Sequence, residues 1–138
     1  MVDSHEEYWI GIDLGTCNSC AGVWMNEQVV ILQNPEDGAV TTPSVVGYKE
    51  GNEVMVGRSA LNLGIKNPAN TIYDAKRLLG RRFDDKDVTR DIALWPFKVI
   101  EGDEHRPKIV VDGKELYPEQ ISAKVLEKMK QCAERKVG

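Results

Sequence analysis

The chain has 138 residues, of which 41% are apolar, and this is enough for one modest domain with its own core. Lys and Arg number 18 against 22 Asp and Glu, so the formal net charge is −4 at pH 7. This balance offers no basic surface to a nucleic-acid backbone or an anionic membrane, so we expect neither as a partner. We find no signal peptide and no apolar run of membrane-spanning length, which predicts a cytoplasmic protein.

The first 56 residues are predicted to form strands, because apolar runs of about strand length alternate there with polar turns. The runs are residues 8–14, 19–25, 29–32, 44–48 and 54–56. Asn26-Glu27 suits a hairpin turn between the second and third runs. Glu50-Gly51-Asn52 suits the turn of a second hairpin.

The middle of the chain changes to a helical pattern. Residues 58–64 are predicted to form a short helix, and residues 84–90 a further helical turn. Between them, Asn70 or Thr71 can cap a helix that runs through Leu79 and carries three apolar residues on one face. Lys76 would lie on this helix.

The last third is predicted to form a small antiparallel meander followed by a long helix. Its strands are residues 97–100, 109–111 and 115–117, with Asp112-Gly113 as a tight turn. Pro118 opens the helix, whose apolar residues recur with helical spacing. They are Ile121, Val125, Met129 and Cys132. A sheet covered by one helix leaves apolar surface exposed, so we expect further chain in the whole protein.

The turn after the first strand is the richest stretch for chemistry. Asp13 ends the apolar run, Gly15 permits a tight turn, and Thr16, Cys17 and Asn18 follow with small side chains. Backbone amides in such a turn form a nest for phosphate oxygens, and the preceding acid can hold hydrated Mg²⁺. The alternative is an ordinary hairpin with Asp and Gly in its turn. Neither a Walker loop nor a dinucleotide-binding fingerprint is present in the sequence.

Lys76 is the second candidate site residue. An ammonium directed into a phosphate cleft can offset the charge of a γ-phosphate and fix an attacking water. A helix lysine beside Asp74 and Arg77 is more often simply solvated, and the same holds for Arg81 and Arg82. The residue pattern alone therefore favours a solvated lysine.

Several motifs, in order along the chain, resemble the seventy-kilodalton heat-shock protein (DnaK-type) chaperone family. The motifs are Ile10-Gly11-Ile12-Asp13-Leu14-Gly15-Thr16, Thr41-Thr42-Pro43-Ser44, the segment Asn70 to Phe83, Trp95-Pro96-Phe97 and Tyr117-Pro118-Glu119. Actin and the sugar kinases share the Asp-x-Gly-Thr turn, so the longer motifs and their spacing carry the resemblance. It covers nearly the whole chain and corresponds to the N-terminal part of the family's ATPase domain.

The resemblance implies an α/β fold of the actin-like, or ribonuclease-H-like, ATPase type. This chain would be a partial first lobe with an inserted small α+β subdomain. Residues 1–43 would form the phosphate-binding sheet, residues 44–118 the inserted subdomain, and residues 119–138 a helix that returns to the first lobe. The second lobe and the peptide-binding domain would come from chain beyond Gly138.

The resemblance also implies ATP or ADP with Mg²⁺ as cofactors. Asp13 would hold Mg²⁺ through a water molecule, and Lys76 would be the catalytic lysine that positions the water or the γ-phosphate. The phosphates would be wrapped by the turn of Gly15, Thr16, Cys17 and Asn18.

The whole protein would be an ATP-hydrolysing chaperone that closes on unfolded client polypeptides. J-domain co-chaperones and nucleotide exchange factors would regulate it. The alternatives are a sugar-kinase-type phosphotransferase and a non-catalytic fragment without nucleotide turnover. We expect the 138 residues alone to bind ATP weakly and to be inactive.

One departure from the family pattern concerns the turn itself. Where the family usually has Thr-Thr-Tyr, this chain has Thr16-Cys17-Asn18, so a hydroxyl becomes a thiol and an aromatic ring becomes an amide. Wrapping by backbone amides should survive the change. The change also creates Cys17-x-x-Cys20, which could be a redox or metal pair. Since no His is near in sequence and strand alternation separates the two side chains, we expect reduced thiols, with Cys17 open to oxidants unless ATP covers it.

Overall fold

The computed structural model describes residues 6–138, in which short antiparallel sheets alternate with helices. The strands of this part of the chain are β1 (Trp9–Leu14), β2 (Asn18–Met25), β3 (Gln28–Ile31), β4 (Thr42–Pro43), β5 (Val46–Tyr48), β6 (Val54–Val56), β7 (Thr71–Ile72), β8 (Lys98–Glu101), β9 (Pro107–Val111) and β10 (Lys114–Leu116). The α-helices are α1 (Arg58–Lys66), α2 (Lys86–Ile92) and α3 (Pro118–Val137). Short 3₁₀ turns occur at Glu50–Asn52, Pro68–Asn70, Ala75–Leu78 and Asp103–His105.

The first sheet is antiparallel in the order β1-β2-β3, and β4 pairs with the start of β2. Asn26 and Glu27 connect β2 to β3 with φ values of 53° and 60°. Two consecutive positive φ angles match the right-handed twist of a two-residue hairpin, so the predicted turn is confirmed.

Two smaller sheets follow the first. In one, β5 lies between β6 and β7, and in the other β9 lies between β8 and β10. Asp112 and Gly113, with φ values of 48° and 73°, join β9 to β10. The predicted second hairpin and the predicted meander are therefore confirmed.

The helix predicted from residue 70 to residue 79 is wrong. Thr71 and Ile72 instead form β7, where both side chains are buried against β5, as suits β-branched residues. Asp74 then adopts a left-handed conformation with φ of 58°, which an α-helix cannot contain, and only the 3₁₀ turn Ala75–Leu78 remains. Gly80, with a positive φ of 68°, ends the segment as predicted.

Helix α3 joins two hydrophobic clusters. Its N-terminal half places Ile121 and Val125 in the cluster formed with the two smaller sheets. Its C-terminal half places Met129 and Ala133 against Ala21 and other residues of the first sheet. All four apolar positions predicted for this helix are buried, so its amphipathic pattern is confirmed. Among the described residues, no helix has both the length and the apolar character needed to cross a membrane.

The face of the first sheet that points away from α3 is uncovered within residues 6–138. Cross-strand pairing places Trp9, Trp24, Val29 and Ile31 together on this outer face. They are 79%, 51%, 62% and 53% exposed. The expected exposed apolar sheet surface is therefore present.

Candidate phosphate-binding turn

The turn between β1 and β2 consists of Gly15, Thr16 and Cys17, since Leu14 ends β1 and Asn18 begins β2. A Cβ atom added at position 15 would overlap the carbonyl oxygen of Asn18. Glycine is thus required by the close approach of the two backbone segments. This requirement agrees with the tight turn predicted from the sequence.

Three carbonyl groups in and beside the turn accept hydrogen bonds from residues much later in the chain. The ammonium Nζ of Lys76 donates to the carbonyl of Leu14 at 2.7 Å. The hydroxyl of Ser44 donates to the carbonyl of Gly15 at 2.8 Å, and the amide of Ser44 donates to the carbonyl of Cys17 at 2.8 Å. Lys76 and Ser44 therefore hold the carbonyl oxygens in and beside the turn in fixed positions.

Within residues 6–138, the amide nitrogens of the turn differ from its carbonyl oxygens in having no backbone partner. In the part of the chain that the structure describes, the amides of Gly15, Thr16 and Cys17 donate to no backbone carbonyl. Neighbouring backbone amides in a tight turn form a concave nest for anions. The chemistry of this donor set is compatible with phosphate oxygens, and phosphate binding by the turn stays a prediction.

Asp13 and Lys76 flank the turn at the end of β1. Asp13 is exposed, pairs with Cys20 across the β1–β2 ladder, and lines a cavity of about 470 Å³ along the outer sheet face. Lys76 reaches Leu14, the next residue after Asp13. Asp13 and the Lys76 ammonium thus lie at the same end of β1, although 63 residues separate them in the sequence.

The left-handed Asp74 sets the direction of the segment that carries Lys76. The indole Nε1 of Trp95 donates to its carboxylate at 3.4 Å, and the guanidinium of Arg77 lies 3.7 Å from the same oxygen. Trp95 is itself stacked on Phe97, with ring centroids 5.1 Å apart. Asp74 and Arg77 therefore pair with each other while Lys76, although exposed, contacts the turn rather than remaining simply solvated.

Arg81 and Arg82 are solvent-exposed side chains, as the sequence pattern predicts. Arg81 pairs with Asp85 at 3.4 Å, and Arg82 pairs with Asp84 at 3.0 Å. The hydrogen bond from Arg82 lowers the pKa of the Asp84 carboxyl from its usual value. Both arginines are largely exposed, so these pairs contribute little to the free energy of unfolding.

Cys17 and Asn18 lie at the wall of a second cavity, of about 360 Å³, which also contacts Arg58 and Tyr73. The Cys17 thiol is exposed and Cys20 is half-buried in β2, and both are free thiols. Within residues 6–138, no group of three or more His, Cys, Asp and Glu side chains is arranged to hold a metal ion directly.

The contacts of Ser44 cannot be predicted from the local sequence. Ser44 is the last residue of the Thr-Thr-Pro-Ser motif, and its contact with Gly15 spans 29 residues of chain. Its other hydroxyl partner, the buried Ser19, lies 25 residues away. A motif can mark such a residue, but only the tertiary structure shows which group it contacts.

Taken together, these elements define an α/β protein with a tight, glycine-dependent turn between the first two strands of a sheet. Residues 9–138 match the family model described as Hsp70 protein. The chain is 46% identical to the chaperone protein DnaK of Burkholderia cenocepacia and 48% identical to the chaperone protein DnaK of Psychrobacter cryohalolentis. Each match covers 129 residues, which is 94% of this chain and 20% of the relative.

The chain therefore belongs to the Hsp70 family and corresponds to the N-terminal part of the family's ATPase domain. It spans about a fifth of the length of these two relatives. Membership implies an actin-like ATPase fold, and the mixture of sheets and helices is consistent with that fold.

Proposed function

We propose that these 138 residues supply one wall of the nucleotide cleft in an ATP-hydrolysing chaperone. The observation that carries the proposal is the turn of Gly15, Thr16 and Cys17. Its amides have no backbone hydrogen-bond partner in the described part of the chain, while the neighbouring carbonyls accept hydrogen bonds from Lys76 and Ser44. Such a turn binds the phosphate chain of a nucleotide through its backbone and is indifferent to the side chains at positions 17 and 18. Family membership gives the nucleotide as ATP or ADP.

The residues present fit magnesium phosphate chemistry. Asp13 is an exposed hard oxygen ligand beside the turn and would hold the metal through a bound water. Magnesium, when bound, would neutralise part of the phosphate charge. The backbone amides of Gly15, Thr16, Cys17 and Asn18, together with the Thr16 hydroxyl, would wrap the phosphate oxygens.

Lys76 would be the catalytic residue of this wall. An ammonium has three donors, and the contact with the Leu14 carbonyl uses one of them. The two remaining donors can bind a γ-phosphate oxygen and an attacking water. The contact with Leu14 fixes the ammonium in place before the nucleotide arrives, which is the positioning that phosphoryl transfer requires.

In the whole protein, hydrolysis would drive closure on unfolded client polypeptides, under the control of J-domain co-chaperones and nucleotide exchange factors. Residues 1–43 and 119–138 would belong to the first lobe, and residues 44–118 would be its inserted subdomain. The Hsp70 family match favours this chaperone over the sugar-kinase alternative. The cytoplasmic location stays a prediction.

The experiment is a titration of the ¹⁵N-labelled 138-residue chain with Mg-ADP, followed by amide chemical shifts. We expect shifts centred on Gly15, Thr16 and Cys17 and millimolar affinity, because a wall alone supplies only a few contacts. Adenosine, which lacks phosphates, is the control ligand and should leave these amides unchanged. Lys76→Met should keep the Mg-ADP-induced shifts of Thr16 and Cys17, since backbone amides hold the phosphates, and should change only that of Gly15, which follows the Leu14 carbonyl held by Lys76. Asp13→Asn should remove the increase in ADP affinity that Mg²⁺ gives.

Two outcomes would contradict the proposal in different ways. Shifts that avoid the turn, or equal shifts with adenosine, would show that the turn is not the phosphate site. Micromolar affinity would show that the 138 residues hold far more than one wall of the cleft.

A further inference from the structure

Ser44 stands directly after β4 and makes three hydrogen bonds to the first sheet and its turn. Its amide donates to Cys17 at 2.8 Å, its hydroxyl donates to Gly15 at 2.8 Å, and its Oγ lies 2.8 Å from the Oγ of Ser19. We propose that Ser44 is the positioning residue of the phosphate-binding turn and fixes the directions of its amides. This inference rests on the proposed function and deepens it.

The protons of the two hydroxyls can be assigned from chemistry alone. A carbonyl oxygen only accepts, so the single hydroxyl proton of Ser44 is used in the bond to Gly15. Ser19 must therefore be the donor in the bond between the two hydroxyls. The result is a relay from Ser19 through Ser44 to Gly15, and bonds in such a chain strengthen one another.

The relay controls amides because of peptide geometry. Every peptide bond among the described residues is trans, so the carbonyl of one residue points opposite to the amide of the next. By holding the carbonyl of Gly15, Ser44 sets the direction of the Thr16 amide, and by holding the carbonyl of Cys17 it sets that of Asn18. Lys76 acts in the same way on Gly15 through the carbonyl of Leu14.

Ser44 is well placed for this role because the strand before it is fixed. Thr42 and Pro43 are buried in β4 and pair with Ser19 and Asn18 of β2. The Thr42 hydroxyl also accepts a hydrogen bond from the buried Asn34 side chain at 3.3 Å. The Ser44 hydroxyl is thus held by a strand on the same sheet as the turn.

The test compares Ser44→Ala with Ser19→Ala in the 138-residue chain. Ser44→Ala removes the bond to Gly15, whereas Ser19→Ala leaves that bond in place and removes only the other hydroxyl. We expect Ser44→Ala to lower the ¹⁵N order parameter of the Thr16 amide from about 0.85 to below about 0.6. It should also weaken Mg-ADP binding about threefold to tenfold, the loss expected for one hydrogen bond.

Ser19→Ala should change both quantities much less than Ser44→Ala does, since the bond to Gly15 remains. Ser44→Thr, which keeps the hydroxyl, should leave both quantities near their wild-type values. An unchanged Thr16 order parameter in Ser44→Ala would overturn the proposal, as would equal effects of the two alanine variants. If Ser44→Ala does not fold, Ser44→Cys, a weaker donor, gives the same comparison. The order parameter is measured without ligand and does not depend on nucleotide binding. Failure of wild type to bind Mg-ADP would therefore contradict the proposed function, while the effect of Ser44 on the Thr16 amide could still be measured.

Discussion

At residue 15, in the turn, the backbone leaves no room for a side chain, whereas at residue 11, on the preceding strand β1, it does. A Cβ at position 15 would overlap the Asn18 carbonyl, but a Cβ at Gly11 would meet nothing within 4 Å. We predict that Gly15→Ala lowers the free energy of unfolding by about 1–3 kcal/mol, the usual cost of forcing atoms into filled space. Urea denaturation followed by circular dichroism measures the loss.

Gly11→Ala is the matched control for this substitution. It should leave the free energy of unfolding unchanged or raise it by about 0.4–1 kcal/mol, because alanine reduces the entropy of the unfolded chain without strain. Equal destabilisation by the two variants would mean that strand propensity, and not the close approach to Asn18, makes glycine necessary at position 15.

The side chains of Cys17 and Asn18, where the chain departs from the family pattern, have little influence on the turn. The Cys17 carbonyl is held by the Ser44 amide, and Asn18 is held in β2 opposite Pro43. Both contacts use backbone atoms, which any residue supplies. This is why we expect the departure to change the wall of the neighbouring cavity more than the binding of phosphate.

Among the elements, α3 has the largest effect on the whole fold because it contributes to both hydrophobic clusters. Ile121 and Met129 are each 2% exposed and lie in different clusters. We predict that Ile121→Ala and Met129→Ala each lower the free energy of unfolding by about 2–5 kcal/mol. Urea transitions recorded by circular dichroism and by tryptophan fluorescence should coincide in each variant, since one helix closes both clusters.

Leu126→Ala is the control on the same helix. Leu126 is 39% exposed, so its truncation leaves a smaller cavity and should cost much less than the two buried substitutions. Two separated transitions in either buried variant would show that the clusters unfold independently and that α3 does not couple them.

Elements with strong local signals could be predicted from the sequence, and those decided by distant contacts could not. The two-residue turns and the apolar spacing of α3 are local, and both predictions are confirmed. The helix predicted at 70–79 failed because β7 pairs with β5 and because Trp95, 21 residues away, contacts the left-handed Asp74. For the same reason the tight turn at Gly15 could be predicted from the sequence, but its contacts with Ser44 could not.

At the scale of the whole molecule, the first sheet is covered on one face only among the described residues. Its outer face combines two tryptophans with two β-branched residues, all more than half exposed. Apolar patches of this kind are rare on the surfaces of soluble monomers. Asp13 lines the same cavity as this patch. Whether the patch is exposed or covered therefore changes how much water surrounds the proposed metal-binding carboxylate.

This face should bind a hydrophobic fluorescent dye in the folded 138-residue chain, at protein concentrations low enough to avoid association. We predict that Trp24→Thr and Val29→Thr each reduce the bound-dye signal, because threonine suits a strand but removes apolar surface. Leu94→Thr is the control, since Leu94 is 75% exposed but lies outside the first sheet. Circular dichroism must show that each variant is folded. An equal loss of bound dye in the Leu94 variant, or no dye bound by wild type, would mean that the outer face does not act as one continuous apolar surface.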